Sequence, residues 1–265
     1  MQDNKDGITM RGHEISQSFR VGQRTISVLK NINFTIKRNT FTVIFGPSGS
    51  GKSTLLNILT GLQPPTTGKV YFDGKSLYEL HPDELAHFRA STVGFVYQQN
   101  YWVASLDVME NVATPLYFLG ISRLKANQQA RKSLDIVGMG KYAKLNPSLL
   151  SSGEQQRVAM ARAIIGQPEL IVADEPTGSL DTTNGDKIME LLRHSQEDLH
   201  KTVILVSHNM EYLPLADNLL HIQDGRLKQM PTSSMAKTTD DLLAYTRSRI
   251  DTLAKVKRGG ASHEK

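Results

Sequence analysis

A short, mostly apolar run, Phe41-Thr-Val-Ile-Phe45, leads directly into Gly46-Pro-Ser-Gly-Ser-Gly-Lys-Ser53. Thr54-Leu-Leu-Asn-Ile-Leu59 follows, with apolar residues on one side. The first run reads as a buried parallel strand and the last as the start of a helix. The spacing G-x-x-x-x-G-K-S between a strand and a helix is that of a phosphate-binding loop. Gly46, Gly49 and Gly51 let successive backbone N–H groups curl around an anion, and the helix N-terminus adds partial positive charge. Lys52 reaches the outer phosphates as a point charge, and the Ser53 hydroxyl suits a hard magnesium ion. A chance glycine-rich turn does not need a strand before it and a helix after it. The stretch therefore implies that the chain binds a nucleoside triphosphate, without saying what the triphosphate drives.

The rest of the chain places this loop in an α/β domain. Its 265 residues suffice for one large or two small domains. Ile15–Phe19, Ile26–Leu29 and Ile32–Ile36 alternate apolar and polar residues and predict three strands of a small antiparallel N-terminal sheet. Residues 68–74 and 93–97 predict strands, and Pro82–Arg89 a short helix. Asn100–Asn146 turns helical, with apolar spacings of three and four in 107–113 and 124–137, which predicts a helical insertion. Ser151 or Ser152 caps a helix running through Ile165. Leu170–Glu175 and Thr202–Ser207 are further core strands, with a helix at 185–193 between them. Strands at 219–222 and 226–229 flank the turn Asp224-Gly225. Strands alternating with helices imply a mainly parallel sheet covered on both faces. Beyond Pro231 a linker, one more helix at 240–257 and a disordered end are expected.

Composition excludes some classes. The charge is close to balanced, 31 basic against 26 acidic residues, and no basic stripe interleaved with aromatics argues for nucleic acid. There is no cysteine, so neither disulfides nor a thiolate metal site are expected. The polar N-terminus carries no signal-peptide pattern, and no apolar run of about 18 residues predicts a membrane span. A membrane role then has to come through a partner.

Two carboxylates, Asp174 and Glu175, end a core strand on the side where the phosphate loop lies. Asp174 there can support magnesium, and Glu175 can orient or deprotonate a water for attack on the terminal phosphate. Gln98 and His208 also follow strands. A neutral amide at Gln98 can touch the metal or water, and the His208 imidazole can point at the terminal phosphate. Each of these residues alone reads equally well as a solvent-facing strand end.

Leu150-Ser-Ser-Gly-Glu-Gln-Gln-Arg157 resembles the signature sequence of the ATP-binding cassette (ABC) ATPases. The order of phosphate loop, Gln98, signature, Asp174-Glu175, Ser179-Leu-Asp181 and His208 is also that of the family, over about residues 8–230. The resemblance implies a P-loop NTPase core with an N-terminal antiparallel β subdomain and an inserted helical subdomain. It implies ATP and Mg2+ as ligands. Gly46, Pro47, Ser48, Gly49, Ser50, Gly51, Lys52, Ser53 and Thr54 would hold the phosphates, and Ser53, Gln98 and Asp174 the metal. Glu175 would be the general base, His208 the switch histidine, and Gln98 and Lys52 would act on the γ-phosphate. Phe19 fits the aromatic that stacks on adenine, with Phe41 and Tyr71 left open by spacing. Asp181 would lie in the loop joining the two sites of a head-to-tail dimer, where Ser151 and Gly153 reach the ATP of the other subunit. One departure is Ser152, where the family usually has Gly; if that position needs a positive φ, Ser carries a steric cost.

Residues 93–99, 109–116 and 173–181 are similar to the branch of lipoprotein-release, macrolide-export and cell-division ATPases, LolD, MacB and FtsE. That implies an integral-membrane permease with a large extracytoplasmic domain, coupled at about Gln98–Leu116, and a place on the cytoplasmic face of the inner membrane. Two other classes share the motifs. A soluble cassette ATPase of translation or DNA repair generally carries a second cassette or long insertions, which this chain lacks. A binding module that no longer hydrolyses is argued only by Ser152.

Overall fold

The computed structural model describes residues 7–230. The linker, helix and tail expected at 232–265 lie outside the described residues. In chain order the strands and helices are β1 Ile8–Val21, β2 Arg24–Lys37, β3 Phe41–Phe45, α1 Lys52–Leu59, β4 Thr67–Phe72, β5 Lys75–Ser76, α2 Pro82–Thr92 and β6 Val93–Tyr97. They continue as α3 Val108–Phe118, α4 Arg123–Ile136, α5 Ser152–Ile164, β7 Leu170–Asp174, α6 Thr182–Glu197, β8 Thr202–Ser207, β9 Asn218–Gln223 and β10 Arg226–Met230.

Two sheets carry the fold. An antiparallel sheet has the order β2-β1-β4-β5, and a second sheet has the order β10-β9-β3-β8-β7-β6. In the second, only the β9–β10 edge hairpin is antiparallel. Side chains alternate across its strands. Phe41, Val43 and Phe45, with Ile171, Ala173, Val203 and Leu205, join the core shared with α3, α4, α5 and α6. Ile44, Val172, Ile204 and Val206 join the opposite core, shared with α1 and the antiparallel sheet. All five residues of β3 are buried. A strand covered on both faces favours apolar residues on both, which is why its sequence does not alternate; its one polar residue, Thr42, is buried too. Leu55, Leu56, Ile58 and Leu59 fix α1 against the sheet, at about 1.5–3 kcal/mol for each fully buried side chain.

The N-terminal sheet corrects one expectation. The three strands read from 15–36 are two long ones, because 26–29 and 32–36 are a single strand. Asn31 and Glu14 sit at φ 50 where the β1–β2 register shifts. Asn31 N–H donates to Ser16 Oγ, and Glu14 N–H to the Asn33 side chain. This is a bulge held by side chains, so the polar break in the pattern does not reverse the chain. The helix expected from Gly185 begins earlier, at Thr182, under an Asp181 cap.

The helical insertion forms as expected. A reciprocal capping box of Asp107 and Glu110 starts α3. Pro115 lies within α3 and cannot donate to the Asn111 carbonyl, and the Thr114 hydroxyl donates to it instead at 2.8 Å.

Candidate nucleotide site

Parallel register assembles the site. Phe45 pairs with Ser207, Val206 with Asp174, and Asp174 with Tyr97. The residues following these strand ends are the phosphate loop, His208, Glu175 and Gln98, so all four leave the sheet along one edge. Ligands collect at such C-terminal edges because the connecting loops diverge there. Ser48, Gly49, Gly51, Lys52, Ser53, Thr54, Gln98, Glu175 and His208 line one pocket of about 420 Å3, together with Val28 of β2.

Backbone geometry makes the loop. Gly46 has φ 156, and a Cβ there would meet the Ile222 carbonyl oxygen of β9 at 2.0 Å. Gly51 caps α1 at φ 104, and its Cβ would meet Leu29 at 2.7 Å. Glycine is required at both positions by conformation and by space. The Lys52 ammonium folds back inside the loop and donates to the carbonyls of Gly46 and Pro47, both at 3.0 Å. Its charge is thereby held at the centre of the cradle.

Glu175 lies one residue beyond β7 with φ 48, a left-handed conformation that turns it out of the sheet. Such strain is tolerated where neighbours over-determine it. Here Glu175 N–H donates to the Val206 carbonyl, and its Oε1 lies 2.8 Å from His208 Nδ1. Carboxylate and imidazole are therefore already paired at the edge of the pocket.

The residues present fit a magnesium-bound triphosphate. Burial pushes Asp174 above the usual carboxylate range and adjacent Glu175 adds to this, while the Ser53 hydroxyl and Lys52 act against it. Asp174 Oδ1 and Ser50 Oγ are two of six buried side-chain oxygens without a hydrogen-bond partner among the described residues. A desolvated Asp174 oxygen with no donor, on a carboxylate that also meets the Ser53 hydroxyl, is the oxygen chemistry that a hard divalent cation compensates.

Of the expected site residues, Phe19, Gly46, Pro47, Ser50, Ser151, Gly153, Asp174 and Asp181 do not line this pocket. Phe19 is 38% exposed on β1, paired with Ile26 of β2, two residues from Val28. Of the other aromatics left open, Phe41 is fully buried in the core and cannot meet a ligand, and Tyr71 is half-buried on β4. Ser151 is the N-cap of α5, settling the choice between it and Ser152. Its Oγ donates to Glu154 at 2.8 Å, and Glu154 is lowered below the usual carboxylate range by those Ser151 hydrogen bonds. Ser152 is the first helical residue and has no positive φ, so it carries no backbone strain at the position where it replaces glycine.

Sequence reading did not find Asn184. It receives a Cβ-free approach from Gly153, where an added Cβ would lie 2.7 Å from Asn184 Cγ. Asn184 also donates to Asp181 at 2.8 Å and accepts from Arg157 at 3.3 Å. It thus pins the start of α5 to the start of α6. An Asn three residues after an Asp cap is a weak signal, because its partners lie 27 and 31 residues away in sequence.

The ABC transporter family model matches residues 29–178. The chain is 39% identical over 219 residues to an uncharacterised ABC transporter ATP-binding protein of Methanocaldococcus jannaschii, covering 81% of this chain and 93% of that one. It is 37% identical over 241 residues to a macrolide export ATP-binding/permease protein MacB of Shewanella sp., covering 88% of this chain. Of that longer protein the chain spans 36%. A solved dimeric ATP-binding cassette in a post-hydrolysis state, bound to ADP and Pi, superposes with a TM-score of 0.79 at 37% identity, over 84% of this chain and 98% of that one. The strand-edge site and these likenesses agree: the chain belongs to the ABC transporter family, as a magnesium-dependent ATPase of the branch that includes MacB.

Proposed function

We propose that this chain is the subunit that hydrolyses ATP as a head-to-tail dimer and drives a separate membrane permease, in lipoprotein release, peptide or antibiotic export, or mechanotransmission. One observation carries the reading. The segment after β6 has Gln98 in the phosphate pocket and, three to five residues on, Tyr101 and Val103 in a second groove of about 750 Å3. Phe118 of α3 and Tyr101, 82% and 70% exposed, leave apolar surface along it. A short loop with one end at the chemistry and the other on an apolar surface is suited to pass motion to a partner. MacB relatives supply the partner's chemistry: this chain spans about a third of proteins named as both ATP-binding and permease. The groove therefore receives a cytoplasmic segment of a permease. Among the described residues no helix is long and apolar enough to cross a membrane, consistent with attachment to the cytoplasmic face of the inner membrane through that partner.

At the pocket, the backbone N–H groups of 48–54 and the Lys52 ammonium bind the β- and γ-phosphates. When bound, magnesium neutralises phosphate charge, held by Ser53, Gln98 and Asp174. Glu175 orients a water and accepts its proton, and His208 holds the Glu175 carboxylate in place and faces the γ-phosphate. Phe19 stacks on adenine. Ser151 and Ser152 at the start of α5 are exposed, do not line their own chain's pocket and, with Gly153 behind them, complete the γ-phosphate cage of the other subunit. Hydrolysis removes the charge that bridges the subunits, and the dimer opens.

Affinity purification of tagged Glu175→Gln protein with magnesium ATP, from detergent-solubilised membranes, tests the reading. Recovery of a permease with few membrane spans and a large outer domain, lost on Phe118→Glu while ATP binding persists, is the expected result. A many-spanned importer would overturn the branch-level reading, and ribosomes or DNA in place of a membrane protein would overturn the transport reading.

A further inference from the structure

The side chains of the loop that lines the groove point two ways. Tyr101 and Val103 face the groove. Trp102, between them, faces α5, and its indole N–H donates to Gln155 Oε1 at 2.8 Å. Gln155 Nε2 donates in turn to the Leu150 carbonyl at 3.0 Å. Leu150 immediately precedes the Ser151 cap. Both ends of the Gln155 amide are thus committed, one to the loop and one to the residue before the cap.

Arg162 closes the arrangement from further along α5. Its guanidinium lies 4.6 Å from the centroid of the Trp102 ring and donates to the Asn100 carbonyl at 2.7 Å. Burial pulls Arg162 down to about 10, which leaves it cationic at neutral pH. Gln156, next to Gln155, donates to the Tyr97 carbonyl at 3.0 Å. None of Trp102, Gln155 and Arg162 lines the phosphate pocket, so the chemistry described above leaves the cluster unused. A half-buried polar chain whose members are satisfied moves as a unit, because breaking any link strands a donor or acceptor.

We propose that Trp102 and Gln155 form a latch through which occupancy of the groove sets the position of the Ser151 end of α5. Both are positioning residues and touch no substrate. The latch offers a route from partner surface to the trans ATP contact that bypasses Gln98. It rests on the reading of the groove as the partner surface and of Ser151 as the contact to the second subunit's ATP. Because binding linkage is reciprocal, whatever fills the groove changes the ATP concentration needed to form the dimer, and by the same factor ATP changes affinity for the groove's occupant.

The chain has no cysteine, so Tyr101→Cys can be labelled at one position with a bulky maleimide as a stand-in occupant. The readout is the ATP concentration at half-maximal dimer formation, measured by light scattering in the Glu175→Gln background. The label is expected to move this midpoint about fivefold, the low end of ordinary inter-site coupling. Trp102→Phe keeps a ring beneath Arg162 and removes only the N–H; with it the label is expected to move the midpoint less than about twofold, the scale left when one hydrogen bond is lost. Gln155→Leu, which removes the same bond from the other end, is expected to do likewise. A label effect of undiminished size in either variant, or no effect in the parent, overturns the latch. A Glu175→Gln parent that stays monomeric in saturating ATP overturns the sandwich reading, and the latch with it.

Discussion

The phosphate loop and the signature end of α5 are both glycine-containing helix N-termini, and they are built in opposite ways. At the loop, every constraint comes from inside the chain. Gly46 is pressed against β9, Gly51 against β2, and the Lys52 charge is tied to the loop's own carbonyls. At the signature, Ser151 is exposed and engages only its own helix through Glu154. Behind it, Gly153 is buried against Asn184 of α6. The first is a binding site in itself. The second is a rigid mount with Ser151 exposed at its tip, the hydroxyl engaged only by Glu154 of the same helix. On the proposed reading the difference means that one chain carries halves of two different sites, and that ATP binding and ATP hydrolysis should separate by mutation.

The largest effect is expected at the base. Glu175→Gln should lower turnover by about 10^3-fold, within the range for a lost general base, with ATP affinity kept. A turnover within tenfold of the parent, measured by phosphate release, would move the base elsewhere. The next test splits the two helix ends. Lys52→Ala should weaken ATP binding about 100-fold, the scale of a lost charged contact, measured by calorimetry. Ser151→Arg should leave binding to the monomer unchanged and cost about 100-fold in turnover, as for a lost transition-state donor. If both variants lose binding alike, the contrast between the two ends is broken.

Two smaller effects sharpen the mount. Gly153→Ala places a Cβ against an Asn184 side chain already committed to Asp181 and Arg157, so it cannot yield freely. Overpacking of this kind costs about 1–3 kcal/mol, and denaturant midpoints should fall accordingly. Asp174→Asn is expected to act in the other direction on stability. Because burial raises Asp174 in the folded chain, the folded state holds its proton more tightly than the unfolded one. The resulting penalty grows as pH rises through the ordinary carboxylate range and is fully present above the raised value. Without metal, Asp174→Asn should therefore melt at a higher temperature than the parent at pH 8, the gap closing in acid, while its magnesium-dependent turnover is lost. A lower melting temperature at pH 8 would mean that Asp174 is stabilising in place, and not held there for the metal.

What could be read from sequence divides along the same line. Residues 41–59 were legible because strand, loop and helix are contiguous and each glycine has a local reason. The C-terminal edge was legible as well, since parallel strands must release Gln98, Glu175 and His208 on one side. The bulge at Asn31 was misread as a strand break, because a polar residue at positive φ looks the same in sequence whether the chain turns or continues. Phe41 stayed open as an adenine aromatic until burial removed it. Ser152 raised a question about φ that only the backbone answers. Asn184 and the Trp102–Gln155 pair escaped because their meaning lies in contacts 27 to 53 residues away in sequence, which neither periodicity nor a motif encodes.

The most direct test of the two-ended account is the mass of Glu175→Gln protein in solution with saturating magnesium ATP, measured beside a Ser151→Arg, Glu175→Gln double variant. The account predicts a dimer for the first and an ATP-bound monomer for the second. A monomer for the first, or a dimer of equal strength for both, would contradict the claim that the exposed end of α5 completes the site of another copy.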